Sequence, residues 1–434
     1  MRGYFELDRH GTTVGREARA ALATFLTMAY IVVVNPAVLE AGGLPRDASV
    51  TATILAAAFG TLVMGLYAKR PFAIAPYMGE NAFIAVTVCA GMGVPWPTAL
   101  GAIFVAGVAF TVLTALRVRG WLASAIPTSL KHSFAVGIGL FLVFIGLNDT
   151  GIVVAGGAGH PVALGALNQT VPLLAILGFL VTVWLMVRRV PGALLLGILL
   201  VTGLSMLAGV SPVPSRVFAA PPSLAPILGR LDVAGALAPK MLPIVLVCFV
   251  MAFVDTIGTL IGLSARAGLL DEKGNLPDIE KPMMADAVAN LAGPVLGTTT
   301  CGAYIESAAG IEEGGRTGLT AVFVSLLFLA TLFLAPVAAA VPPHAYGTTL
   351  VVIGILMLAP AAKLDFADLT ELVPAALTIV LTAFTYNLGV GMTSGLVVHP
   401  LLKLATGRAR EVSLAGWLLA AIAAVFYVVY PYHS

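Results

Sequence analysis

Apolar stretches of roughly the length needed to span a bilayer, about 20 residues, recur along the whole chain between short polar breaks. They fall at 20–40, 50–68, 72–91, 98–117, 132–148, 171–187 and 191–210. After a polar, proline-rich stretch at 211–240 they resume at 241–264, 283–296, 299–311, 317–341, 346–362, 371–387 and 389–405. A last run, 413–430, either crosses once more or lies in the interface. The pattern predicts an all-α membrane protein of fourteen spanning segments with an extra C-terminal hydrophobic helix. Two segments break the helical pattern: PFAIAPYMGENAFIAVTV (71–88) and GPVLGTTTCGAYIESAAGIEEGGR (293–316). Each begins with Pro or Gly and short β-tolerant residues, crosses a turn of small residues, meets an acid and resumes as helix. Non-helical backbone at membrane depth survives only where it is buried in protein or lines a cavity. Each interrupted segment is third in a run of seven. Seven is odd, so the second run is inverted relative to the first, a 7+7 inverted repeat. Matching breaks in two inverted halves point to a carrier's binding site.

Composition supports the membrane reading. Hydrophobic residues make up 59% of the 434 positions and charged residues 10%, with a mean hydropathy of +1.01. A soluble domain carries about 25% charged residues, so most of this surface faces lipid. The net charge of +2 is too small and dispersed for a nucleic-acid footprint. Lys69–Arg70, Arg117 and Arg119 with Lys131, Arg188–Arg189 and the 265–283 loop fall on the side of the arginine-bearing N-terminus. The opposite loops 91–97 and 148–170 carry no Lys or Arg, which places the N-terminus in the cytoplasm. Arg216, Arg230 and Lys240 in 211–240 are a mild exception. The polar N-terminus carries no cleavable signal, so the first segment directs insertion.

The chemistry rests on three acids inside apolar segments, Glu80, Asp255 and Glu306. A charge at the bilayer centre costs about 2.5–3.5 kcal/mol on the insertion scale. No Lys or Arg lies at similar depth in segments 3, 8 or 10, so a fixed ion pair does not explain them. Solute or proton binding does so best for Glu306 and Asp255. Glu80 equally suits the free N–H groups and dipole of a half-helix. Asn81 is either a hydrogen-bonding partner for solute or a half-helix cap. Thr259 lies one turn from Asp255 on the same face, whereas Thr256 is expected to bond its own helix carbonyls. Asn35 before Pro36 is expected to repair the proline kink. Phe83, Phe253 and Tyr304 are either packing or a stacking face for a planar ring. Cys89, Cys248 and Cys301 and the scattered histidines form no disulfide or metal pattern. No Walker A, HExxH or nucleophile-elbow motif is present, and the charged stretches 265–282 and 310–318 are solvated linkers, so an enzyme is not expected. A channel would need a continuous polar stripe, whereas the polar residues cluster at one depth.

TFLTMAYIVVVNPAVL (24–39), APYMGENAFIAVTV (75–88), FVDTIGTLIG (253–262) and TTTCGAYIESAAGIEEGGRTGLTA (298–321) resemble the AzgA-like purine permeases of the nucleobase–ascorbate/nucleobase–cation symporter-2 superfamily. The resemblance runs from about residue 17 to 410. It implies two inverted repeats, 20–210 and 241–410, between a cytoplasmic tail (1–19), a periplasmic linker (211–240) and a C-terminal hydrophobic segment (411–434). It implies a core (20–117 and 241–341) and a gate (120–210 and 345–405), with short strands before half-helices in segments 3 and 10. Glu306 then matches the acid that holds the nucleobase, and Asp255 falls in the acidic region of segment 8. Gly79 and Asn81 match the segment-3 element, and Ile305 lies within the YIE motif. Two positions depart from the family pattern: Ala252 replaces a second acid, and Glu80 stands where several relatives have an apolar residue.

The implied function is import of adenine, guanine or hypoxanthine by proton symport through an elevator-type movement at the cell (inner) membrane. Glu306 would accept ring N–H groups, and half-helix N-termini at Gly79–Asn81 and Gly302–Tyr304 would add donors. Asp255 or Glu306, held out of water, would carry the proton. No cofactor beyond the proton motive force is expected. Sodium coupling, a homodimer, and a same-fold carrier for uracil, xanthine or an anion stay open.

Overall fold

The computed structural model describes residues 2–116, 126–157, 159–270 and 276–429. Arg117, Arg119, the boundary at 120, the middle of the 265–282 loop and the end of the 413–430 run lie outside the described residues. Among the described residues, nine helices are long and apolar enough to cross a membrane: Val14–Ala41, Arg46–Ala68, Trp96–Ala115, Thr128–Asp149, Thr170–Val187, Pro239–Arg266, Gly318–Ala339, Pro343–Lys363 and Leu388–Ala405. The shorter apolar helices Met78–Gly91, Ala193–Leu207, Leu369–Phe384 and Leu414–Val428, with Glu280–Leu296 and Ser307–Glu312, take the places of the other expected segments. Several helices begin a turn earlier than hydropathy suggests. Pro45, Pro95 and Pro127 sit at N-caps, where the missing N–H leaves no helical bond unmade, and the turns that follow at 46 and 128 are partly polar. The 148–170 loop contains an antiparallel hairpin of Val153–Ala155 with Val162–Leu164.

The first span is two helices, Val14–Met28 and Ile31–Ala41. Pro36 cannot donate to the turn before it, and the break opens just N-terminal to that turn, at Ala29–Tyr30. Its consequence is positional: the break sets Tyr30 against segment 10. Asn35 does not serve to repair the kink. Its amide donates to Thr53 Oγ1 at 2.7 Å and to Thr298 Oγ1 at 2.9 Å, tying three segments together.

The two interrupted segments meet as a strand ribbon. Ile74–Pro76 (β1) pairs antiparallel with Cys301–Ala303 (β2) in the register Ile74↔Ala303, Ala75↔Gly302, Pro76↔Cys301. Each strand continues into a turn whose tyrosine bonds across: Tyr77 N–H to Thr300 O and Tyr304 N–H to Ala73 O, both 2.9 Å. The contacts are two-fold symmetric about Ala75 and Gly302, the geometry of two inverted halves. Gly302 is required there, because a Cβ would run into the Tyr77 ring and hydroxyl.

Helices pack in two neighbourhoods. Segments 1, 2, 4, 8, 9 and 11 contact one another around the ribbon; segments 5, 6, 7, 12, 13 and 14 contact one another beside it. Helices Thr128–Asp149 and Pro343–Leu356 approach closely at Gly139 and Gly354, where either Cβ would meet the other's carbonyl oxygen. At one end, Lys403 is buried between Glu371 (2.8 Å) and Glu411 (2.9 Å). Arg408 bonds Asp368 at 2.7 Å. The Thr370 hydroxyl and then Arg408 hold the Asp368 carboxyl well below the usual carboxylate range.

One carboxylate is structural. Glu17 is fully buried and accepts from the N–H groups of Arg316 (3.1 Å), Thr317 (3.3 Å) and Thr320 (3.2 Å) and from the Thr317 (3.0 Å) and Thr320 (2.6 Å) hydroxyls. It thereby caps helix Gly318–Ala330 from a distant segment. Bonds to a charged group contribute about 1.5–3 kcal/mol each, and orphaned buried donors add a penalty. E17A should lower the melting midpoint in detergent strongly, by an effect on the order of 3 kcal/mol, and E17Q by less. An unchanged midpoint for E17A would exclude this role.

Candidate functional site

A strand pair at membrane depth leaves outer edges that lipid cannot satisfy, at several kcal/mol per group. Neighbouring helices close both edges. Thr61 accepts from Ile74 N–H (2.8 Å) and donates to Ile74 O (2.9 Å). On the other edge Asn290 accepts from Cys301 N–H (2.9 Å) and Asp286 from Ala303 N–H (3.2 Å). Ser307 Oγ accepts from Ala73 N–H at 2.9 Å. The ribbon is therefore a fixed platform.

Beside it lies a cavity of about 170 Å³. The ribbon side supplies Tyr77, Met78, Gly79, Ala303, Tyr304, Ile305 and Glu306; segment 1 supplies Tyr30 and segment 8 supplies Asp255 and Thr259. Ile353 and Met357 of segment 12 form the facing wall, so the cavity lies between the two helix neighbourhoods. The Tyr30 hydroxyl donates to Glu306 Oε1 at 2.8 Å. Thr27 donates to the Glu306 carbonyl at 3.3 Å. Tyr30 is the described side chain that bonds the Glu306 carboxylate, and no bond to the Asp255 carboxylate is made by a described residue. Tyr77 and Tyr304 lie nearly parallel, 7° apart with centroids at 6.1 Å, and Tyr304 donates to Pro76 O. Asp255 and Thr259 also line a second cavity of about 290 Å³ with Lys131, His132 and Phe253.

The cavity brings together Glu306, Asp255, Gly79, Tyr304, Thr259 and Ile305 of the expected residues. Asn81 is elsewhere: its amide donates to Asn35 and its oxygen accepts from Thr299, in a buried network behind the ribbon. Glu80 is 1% exposed and lines neither cavity. Phe83 is buried packing. Phe253 packs on Phe249 (6.0 Å) and Phe110 (6.2 Å) and lines the second cavity but not the first. Thr256 does not bond its own helix, and its hydroxyl is buried without a partner. The second half-helix starts at Ser307, while Gly302 and Ala303 are strand, so the expected N–H donors at Gly302–Tyr304 are spent in the ribbon. Tyr30, Tyr77, Met78, Ile353 and Met357 were not expected. For Tyr77 a signal existed: it follows the first strand as Tyr304 follows the second.

Fold and cavity together define a class, a multi-pass membrane protein with a cavity beside two broken helices that pair as strands. The chain belongs to the Permease family, whose profile matches residues 15–428. It is 45% identical over 99% of its length to a putative permease of Methanocaldococcus jannaschii, of which it covers 98%. It is 40% identical to the adenine permease AdeP of Escherichia coli over 94% of this chain and 92% of that one. It is 36% identical to the guanine/hypoxanthine permease PbuG of Bacillus subtilis, over 95% and 96%. These relatives bear out the resemblance to purine permeases. The fold is shared with the transmembrane domain of the cyanobacterial bicarbonate transporter BicA, with a TM-score of 0.63, 17% identity and coverage of 88% of this chain and 97% of that one. It is shared also with the murine anion transporter Slc26a9, at a TM-score of 0.63, 12% identity and 90% and 68% coverage.

Proposed function

We propose that this chain is a secondary active transporter that imports a purine nucleobase, adenine, guanine or hypoxanthine, by proton symport. The observation that carries the reading is Glu306, held by Tyr30 with its carboxylate at a cavity between the two helix neighbourhoods. A purine presents ring N–H donors, ring acceptors and two apolar faces. Glu306 accepts ring N–H groups, guanine offering two side by side. Asp255 supplies the second acceptor and carries the proton, and Thr259 and the Gly79 backbone complete the polar set. Tyr304 and Tyr77 offer ring faces, and Ile305, Ile353 and Met357 close the pocket. Glu80, Asn81, Phe83 and Phe253 support this arrangement from outside the cavity. An anion would meet two carboxylates and no Lys or Arg among the cavity's residues.

In this reading the chain crosses fourteen times as two inverted sevens, with its N-terminus in the cytoplasm of the cell (inner) membrane. The ribbon neighbourhood is the moving core and segments 5–7 and 12–14 the gate of an elevator. Glycine-paired helices in the gate suit a rigid frame. The test is a competition panel of unlabelled bases against labelled adenine and guanine in cells lacking their own purine uptake, with and without a proton gradient. Saturable uptake of at least one purine, suppressed by an uncoupler, is expected. Uracil, xanthine or bicarbonate as the preferred solute would overturn the purine assignment.

A further inference from the structure

Beside the ribbon, at the edge that Asp286 closes, polar atoms gather without hydrogen-bond partners. Both carboxylate oxygens of Glu80, the Tyr77 hydroxyl, the Thr256 and Thr300 hydroxyls and Asp286 Oδ1 are buried and make no hydrogen bond. Glu80 is 1% exposed and Asp286 0%. These groups are neighbours. Glu80 interacts electrostatically with Asp255 and Asp286 and faces Thr300. Tyr77 lies among Asp286, Asp255 and Glu80, with Thr256 at its hydroxyl, and Thr256 faces Asp286 as well. The other titratable groups around Glu80 are Cys248, Cys301 and Tyr304. No Lys, Arg or His among the described residues pairs with Glu80 or Asp286.

Two carboxyl groups buried together, without a cation and with idle hydroxyls between them, are stable only when protons neutralise them. We propose that Glu80 and Asp286 form a buried proton site at the edge of the ribbon, joined to the solute cavity through Tyr77. Tyr77 is suited to the junction because its ring lines the cavity while its hydroxyl lies among the acids. A proton arriving at Asp255, which opens on the cavity, forms an O–H bond there. It then passes by way of Thr256 and Tyr77 to Asp286 or Glu80, each hydroxyl accepting one proton and giving up another. Release inside reverses these steps, so no charge or bond is left over. The site deepens the symport reading and rests on it for its role, but its existence is testable without any solute.

Infrared spectra of the purified full-length protein, taken across a pH series, report buried carboxylic acids directly. The wild type should show a protonated-carboxyl band that titrates, and E80Q and D286N should each lose part of it. D286N keeps an oxygen for Ala303 N–H and guards against misfolding. Both variants should still bind purine but take up no proton on binding it, and Y77F should lose proton uptake per purine bound. Spectra unchanged by both E80Q and D286N would overturn the site. So would ²²Na⁺ binding by the wild type that both variants abolish, since the occupant would then be a metal ion. If the wild type binds no purine, the transport reading fails while the infrared result still stands.

Discussion

E306Q abolishes or sharply weakens radiolabelled purine uptake while the protein still reaches the membrane. The substitution keeps size and leaves Tyr30 an oxygen to donate to, so the pocket survives. What is lost is the charge. A hydrogen bond to an ionised acceptor is roughly twice as strong as a neutral one and contributes about 1.5–3 kcal/mol. The amide also places an NH₂ where a ring N–H arrives, so an acceptor becomes a repelling donor. Affinity should fall roughly ten- to a hundredfold for guanine and hypoxanthine. Adenine, which carries an acceptor at the matching ring position, should lose less. Y30F removes only the bond at 2.8 Å that aims the carboxylate and should weaken uptake more mildly. Normal uptake by E306Q would remove Glu306 from the mechanism.

D255N separates movement of the solute from its accumulation. Asp255 has no hydrogen-bond partner among the described residues and faces two cavities. In the proposed symport it is the carboxyl that would take the proton from the cavity and give it back. With an amide there, purine can still exchange across the membrane, since Glu306 is intact. The pH-dependent uphill phase should disappear. The measurement is paired: counterflow of labelled purine in liposomes, and proton co-movement followed with a trapped pH dye. Retained counterflow with loss of proton movement is expected. Unchanged proton co-movement would refute the coupling role.

The segments were legible because lipid demands long apolar runs, and the two broken segments because Pro, Gly and an acid have few other reasons to stand together in one. Glu306, Asp255 and Thr259 stood out for the same reason: a polar side chain in an apolar run needs a purpose. Asn81 carried the same mark but is satisfied by Asn35 and Thr299, a pairing that exists only once three segments have packed. Asp286 and Asn290 sat unremarked in a weakly apolar helix, because their work on the strand edge appears only with the ribbon in place. Ile353 and Met357 carry no local signal, being apolar residues in an apolar helix. Tyr30 needed the break before Pro36 to reach Glu306, and hydropathy is blind to the direction of a kink.

The ribbon also constrains how the polypeptide can be made. Pro76 and Tyr304, which bond across it, are 228 residues apart, so the first strand enters the membrane long before its mate is synthesised. Thr61 already satisfies both groups of Ile74 from the adjacent helix, a local splint for the waiting strand. Ala75 has no such splint, and its backbone groups stay idle until the second half arrives. A fragment ending at the midpoint would present bare backbone to hydrocarbon, and membrane quality control would meet it as an unfinished product.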